Sequence, residues 1–126
     1  MFYGEFNCAE DVFSNFNVSD DERKDVKFLY ASYETPDYEG YAGVVFLKDG
    51  KIYSVYGSHC SCYGLEGQWD PTEVSLAEMK HYNDNGVSPY GVDFASAYKS
   101  ILALLDNVDT SVLTDDQIVM LLRLMS

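Results

Sequence analysis

The sequence predicts an α+β fold in which helices are segregated from a small antiparallel sheet. Three observations predict it. Asp49-Gly50 separates two apolar, β-branched runs, and a two-residue type I′ turn favours that pair because both positions need positive φ. Phe94, Tyr98, Ile101, Leu102 and Leu105 repeat at helical spacing. Thr114-Asp115-Asp116-Gln117 is a capping box, with Leu113 and Ile118 forming a hydrophobic staple across it.

Taken in order, the chain opens with Asn7-Cys8-Ala9-Glu10, the spacing of a capping box with Asn7 as N-cap. About two turns of helix follow, with Val12, Phe13 and Phe16 on one side, and Asn15 and Asn17 weaken their end. Ser19-Asp20-Asp21-Glu22 is a turn or single helical turn, acidic where a helix dipole favours it. Residues 26–33 form the first strand, with Val26, Phe28 and Tyr30 expected on one face. Pro36 and Gly40 punctuate the connection to a second strand at 41–48, and the third runs over 51–56. The Asp49-Gly50 turn sets Lys48 against Lys51, Phe46 against Tyr53 and Val44 against Val55. On the other face Leu47 meets Ile52 and Val45 meets Ser54. Both faces carry apolar side chains, so the meander is expected to be covered on both.

The stretch 57–70 follows, with sharp backbone expected at its glycines. Two capping boxes then compete, at Asp70 and at Ser75. Ser75 is favoured because Thr72 and Val74 are weak helix formers. Three helices are expected at about 75–83, 92–107 and 115–125, the last turning Ile118, Leu121, Leu122 and Met125 inward.

A chain of 126 residues is the size of one domain, and 47% apolar residues are enough for a single core. Twenty-one Asp and Glu against eight Lys and Arg leave a net charge of −13. That field repels nucleic acid and anionic lipid and attracts cationic partners. Direct nucleic-acid binding is therefore not expected. No apolar run approaches the ~20 residues of a membrane span. The N-terminus lacks the basic and apolar regions of an export signal, so a cytoplasmic protein with reduced thiols is expected.

His59-Cys60-Ser61-Cys62 is the one stretch that invites metal or thiol chemistry. Zinc wants four ligands, and His59, Cys60 and Cys62 with Cys8 or His81 would supply them. Only Ser61 separates the two cysteines, whereas zinc knuckles use two to four intervening residues, and there is no second knuckle. The alternative is small buried thiols in a tight bend. A Cys60 nucleophile needs a base, but adjacent side chains diverge on an extended backbone, so His59 is poorly placed. No nucleotide-binding or hydrolase motif is present. No catalytic residue, metal or cofactor is assigned, and Trp69 reads as a core anchor.

The run His59-Cys60-Ser61-Cys62-Tyr63-Gly64-Leu65-Glu66, followed by Gln68-Trp69, resembles a core shared by small proteins of tailed phages and prophages. Leu29-Tyr30-Ala31-Ser32-Tyr33 and Lys48-Asp49-Gly50-Lys51 fit the same pattern. The resemblance covers roughly residues 25–71, and no activity is assigned to that family. It implies a phage or prophage origin and the host bacterial cytoplasm as the compartment. His59, Cys60, Cys62, Tyr63, Glu66 and Trp69 carry it as a structural motif.

Charge and resemblance together lead to the expected function. A small acidic domain can occupy a Lys/Arg channel built for phosphate, as a nucleic-acid mimic acting on a host nuclease or RNA-guided (CRISPR-type) defence complex. The expected partner is thus a host protein with a basic surface. The candidate patches are Asp20, Asp21, Glu22 and Asp25, then Glu34, Asp37 and Glu39, with a further group at Asp106, Asp109, Asp115 and Asp116. The alternatives are a thiol- or metal-dependent enzyme built on Cys60, Cys62 and a histidine, and a homo-oligomeric accessory phage protein.

Overall fold

The structure is a computed structural model that describes residues 2–36, 38–60, 64–85, 92–105, 109 and 112–124. Within these residues the chain forms β1 (Phe2–Gly4), α1 (Ala9–Phe16), α2 (Asp20–Arg23), β2 (Lys27–Glu34), β3 (Gly40–Lys48) and β4 (Lys51–His59). These are followed by β5 (Thr72–Glu73), α3 (Leu76–Asn85), α4 (Phe94–Leu104) and α5 (Asp115–Leu124). The α+β class holds. The expected meander is the centre of a larger mixed sheet, ordered β1-β2-β3-β4-β5, with β1 parallel to β2 and every other pair antiparallel.

The β3–β4 hairpin has the expected register throughout, from Lys48 opposite Lys51 to Val44 opposite Val55. Asp49 and Gly50 take φ of 52° and 75°, as a type I′ turn requires. β4 continues past the expected end at Tyr56 to His59, where it pairs with Gly40.

β2 departs from simple alternation. Phe28 pairs with Phe46, but the next pair is Tyr30 with Val45, so Leu29 is an inserted residue, a β-bulge. Phe28 and Tyr30 therefore lie on opposite faces rather than on one. Phe28, Ala31 and Tyr33 join a core with Phe6, Val12, Phe16, Val44 and Leu65. Leu29 and Tyr30 join the other core with Val45, Met79, Phe94, Ile101 and Leu122. One sheet is thus covered by α1 and the 64–69 loop on one side and by α3, α4 and α5 on the other.

Side-chain caps fix the helix starts. Ser75 accepts from the Glu78 N–H at 3.1 Å, and Thr114 and Gln117 make the reciprocal capping-box bonds at 3.2 and 2.9 Å. β5 holds Thr72 in extended backbone, in line with rejecting the Asp70 box. At the N-terminus the cap position is Cys8, not Asn7. The carboxylate of Asp11 reaches back to the Asn7 N–H at 2.9 Å, because Asp11 rather than Glu10 stands at the third helical position. α4 starts at Phe94 instead of Val92, since Asp93 caps it through the Ser96 N–H at 3.0 Å. α4 also stops at Leu104, short of the expected 107, because Leu105 leaves helical backbone and its N–H turns to the Leu102 carbonyl. The expected end of the last helix, at 125, lies outside the described residues.

Candidate acidic end of the sheet

The loop after β4 is held by three anchors. Leu65 is buried beneath it. Trp69 stacks on Phe46 with centroids 5.3 Å apart and planes at 13°, and meets Phe16 edge-on at 5.3 Å. Trp69 is half-buried and packs as the anchor expected of it. Gln68 serves as a substitute strand. Its carboxamide accepts from the Ser58 N–H at 2.9 Å and donates to the Ser58 carbonyl at 2.8 Å and the Gly64 carbonyl at 3.1 Å. β5 pairs only with Tyr53 and Ser54, so Gln68 satisfies backbone groups further along the same edge of β4.

That loop sets the end of the sheet where β2 finishes and β3 begins. The imidazole of His59 lies directly over buried Gly40, where any side chain would collide with the ring. It reaches across β3 to the Tyr33 hydroxyl through Nε2. Its Nδ1 lies 2.8 Å from the Cys60 carbonyl. A carbonyl can only accept, so Nδ1 carries the proton, and in the neutral ring Nε2 accepts from Tyr33. Burial raises the Tyr33 hydroxyl above its ordinary pKa of 10.0, and the carboxylates of Glu5 and Glu66 raise it further. Tyr33 therefore stays protonated at neutral pH as the donor this arrangement needs.

The His59 ring is not poised as a base for Cys60. Both polar atoms of the His59 ring are engaged away from the Cys60 sulfur. Cys60 and Cys8 are exposed free thiols, so the expected burial in a bend does not hold for Cys60. His81 sits on α3 with its Nδ1 3.2 Å from the Asn85 amide. Among the described residues no three His, Cys, Asp or Glu side chains gather as metal ligands. Cys62 and Tyr63 lie outside the described residues, as does Asp37.

Of the three expected acidic groups, the first two are placed at opposite ends of β2, and the third has Asp115 and Asp116 on α5, with Asp106 outside the described residues. Asp20, Asp21 and Glu22 form α2, and Asp25 follows with φ of 57°. They border the hairpin tip, where Lys48 donates to the Glu22 carbonyl at 3.2 Å. Glu34 and Glu39 lie at the far end, about 23 Å away for seven residue steps of a strand. The cations are segregated too. Arg23, Lys24, Lys27, Lys48 and Lys51 lie on α2 or at the hairpin-tip end of the sheet, and Arg123 reaches the same tip beside Gly50. The other two, Lys80 and Lys99, are on α3 and α4. The 20–25 patch is thus interleaved with positive charge, and Lys24 pairs with Asp21 at 3.4 Å.

The far end gains two carboxylates that no sequence patch contained. Glu5 donates its N–H to the Tyr33 carbonyl at 2.8 Å and accepts from Thr35 at 3.3 Å. Glu66 stands over Gly64 and acts electrostatically on Tyr33. Glu5, Glu34, Glu39 and Glu66 are all exposed there. Tyr41 donates to Glu39 at 2.5 Å, and Tyr38 is 86% exposed beside it. These residues are far apart in sequence, and only the bulged pairing of β2 and the return of the 64–69 loop bring them together. No helix of the described residues is long and apolar enough to cross a membrane. Comparison with protein-family models, curated proteins and solved structures finds no match for the chain.

Proposed function

We propose that this chain is a binding protein whose working surface is the acidic end of the sheet, and that its partner is a protein with a basic, nucleic-acid-binding channel. One observation carries the reading: Glu5, Glu34, Glu39 and Glu66 share an exposed end, while six of the eight Lys and Arg lie at or beside the hairpin tip. The separation of about 23 Å is nearly three screening lengths at physiological salt, so the tip cations do not cancel the field at the acidic end. Tyr38 and Tyr41 supply flat amphipathic area beside the carboxylates, the composition favoured at interface centres. The resemblance of the 59–69 core to phage proteins supports a bacterial host as the setting, and a nuclease or RNA-guided defence complex as the class of target.

The test is charge reversal by end. One variant carries Glu5, Glu34, Glu39 and Glu66 changed to Lys. A second carries Asp20, Asp21, Glu22 and Asp25 changed to Lys. Each is immobilised and challenged with the heparin-retained fraction of a bacterial lysate. The wild type and the second variant are expected to retain proteins that duplex DNA displaces, with retention falling steeply from low to moderate salt. The first variant is expected to lose them while keeping its circular dichroism. Retention that survives both reversals and ignores salt overturns the proposal and moves the surface to the aromatic residues.

A further inference from the structure

We propose that the cleft between the β4–β5 edge and helices α3 and α4 is a binding site for an aliphatic primary ammonium, carried by a free diamine or by a lysine side chain. The cleft has a volume of about 340 Å³. Ser54 lines it and is the one buried polar residue among those described, at 9% exposure. Ile52 joins the core on the helix side of the sheet and Val55 the core on the α1 side. Strand alternation therefore turns the Ser54 side chain with Ile52, toward the helices and into the cleft. Its hydroxyl has no hydrogen-bond partner among the described residues. A hydroxyl withdrawn from water without a partner is costly, and a ligand that bonds to it recovers that cost.

The walls around Ser54 select the ligand. Asp70 borders the cleft from the sheet edge, just before Thr72, which pairs with Ser54 across the β4–β5 ladder. Glu78 borders it from α3, one helical turn before Tyr82 and on the same helix face. Neither carboxylate has an ion-pair or hydrogen-bond partner among the described residues, and no Lys, Arg or His lines the cleft. The site is thus uniformly negative and repels an anion. Among the described residues no three His, Cys, Asp or Glu gather as metal ligands, so an organic cation suits it better than a metal ion. Tyr56, Tyr82 and Phe94 add aromatic surface, with Tyr82 stacked on Phe94 at 5.5 Å. Ring faces attract an ammonium group and pack against the methylenes that carry it. A primary ammonium has three N–H donors, enough to reach a carboxylate and the Ser54 oxygen together, whereas a quaternary one has none.

The probes are cadaverine and N-acetyl-lysine methylamide, each titrated into the whole chain at about 0.15 M salt and followed by amide NMR. Saturable shifts at Ser54, Thr72 and Glu78, with a Kd of about 1 mM or tighter, are expected. Binding of cadaverine alone assigns the site to free diamines, and binding of the lysine derivative alone assigns it to a protein side chain. The fully N-methylated form of the bound probe is expected to bind at least about tenfold more weakly, because it keeps the charge and loses the donors. Ser54→Ala is expected to weaken binding about fivefold or more while leaving the urea midpoint unchanged or higher, since no bond within the fold is lost. Asp70→Asn and Glu78→Gln should each weaken it about threefold or more, whereas Asp20→Asn, the same charge change on α2, should leave it within about twofold of wild type. Absence of saturable binding by either probe at about 10 mM overturns the proposal. So does equal weakening by Asp20→Asn, which would mark a general counter-ion effect of the net charge of −13. Undiminished binding by Ser54→Ala or by the methylated probe also overturns it.

Discussion

Tyr33 and His59 lie on strands that do not pair with each other, and their side chains meet above Gly40 of the strand between them. The glycine is required by that meeting, because a methyl group there occupies the imidazole's place. Gly40→Ala is expected to cost about 1–3 kcal/mol, the range for overpacking a filled site. Adding His59→Ala should return part of the loss, since the methyl then has room. Urea unfolding of the two single variants and the double variant forms the cycle, and a neutral Gly40→Ala would show that the ring moves aside freely.

The stacking of Trp69 on Phe46 and Phe16 closes the core on the α1 side of the sheet. Trp69→Ala is expected to destabilise the fold by about 3 kcal/mol, the low end for loss of a large aromatic because the ring is only half covered. Trp69→Phe should cost less. Thermal or urea unfolding followed by circular dichroism measures both, since the variants lack the single tryptophan that fluorescence would report.

Tyr30 and Tyr33 are both buried, and burial is the first cause raising each hydroxyl above its ordinary pKa of 10.0. The folded state thus favours the protonated phenols. Their contribution to stability is fully present below pH 10 and is lost as pH rises through the raised values. Stability should be flat with respect to these groups near neutrality and fall above about pH 10. Tyr30→Phe should flatten part of that alkaline limb. A urea midpoint unchanged between pH 9 and pH 11 in the wild type would refute the assignment.

The exposed Cys60 thiol makes an opposite demand on stability. Cys60→Ala is expected to change it by no more than about 0.5 kcal/mol, as for ordinary surface positions. In the folded protein Cys8 and Cys60 should both react with a thiol-disulfide reagent at rates close to those of the unfolded chain. Protection of Cys60, or a loss of several kcal/mol on its removal, would place it in a packed site.

The hairpin, the Ser75 and Thr114 helix starts and the two-sided covering of the sheet were legible in the sequence because each rests on residues within a few positions of one another. What was missed is non-local or silent in composition. β1 has three residues and gains its place only by pairing in parallel with Ala31, Ser32 and Tyr33. β5 is two residues long and depends on Tyr53 and Ser54. The bulge at Leu29 left no trace, because Leu29 and Tyr30 are both apolar and either parity reads as a strand. The 20–25 patch looks self-sufficient as a run of acids, yet Lys48, 26 residues beyond Glu22, approaches it from β3. Glu5 and Glu66 drew no notice as members of an acidic group, since nothing near them in sequence marks the end of the sheet they share with Glu34 and Glu39.

The bulge also sets what β2 can lose. Phe28, Ala31 and Tyr33 share a face because Leu29 and Tyr30 together stand opposite Val45. Removing Leu29 would therefore restore plain alternation while keeping Phe28 in the cluster it shares with Phe13 and Phe46 and Tyr33 on His59, at the cost of one buried side chain among the helices. A one-residue insertion after Ala31 has no such slack and would turn Tyr33 to the α4 side, away from His59. Shortening by one residue at Leu29 is thus a change of length that β2 can absorb with both faces kept.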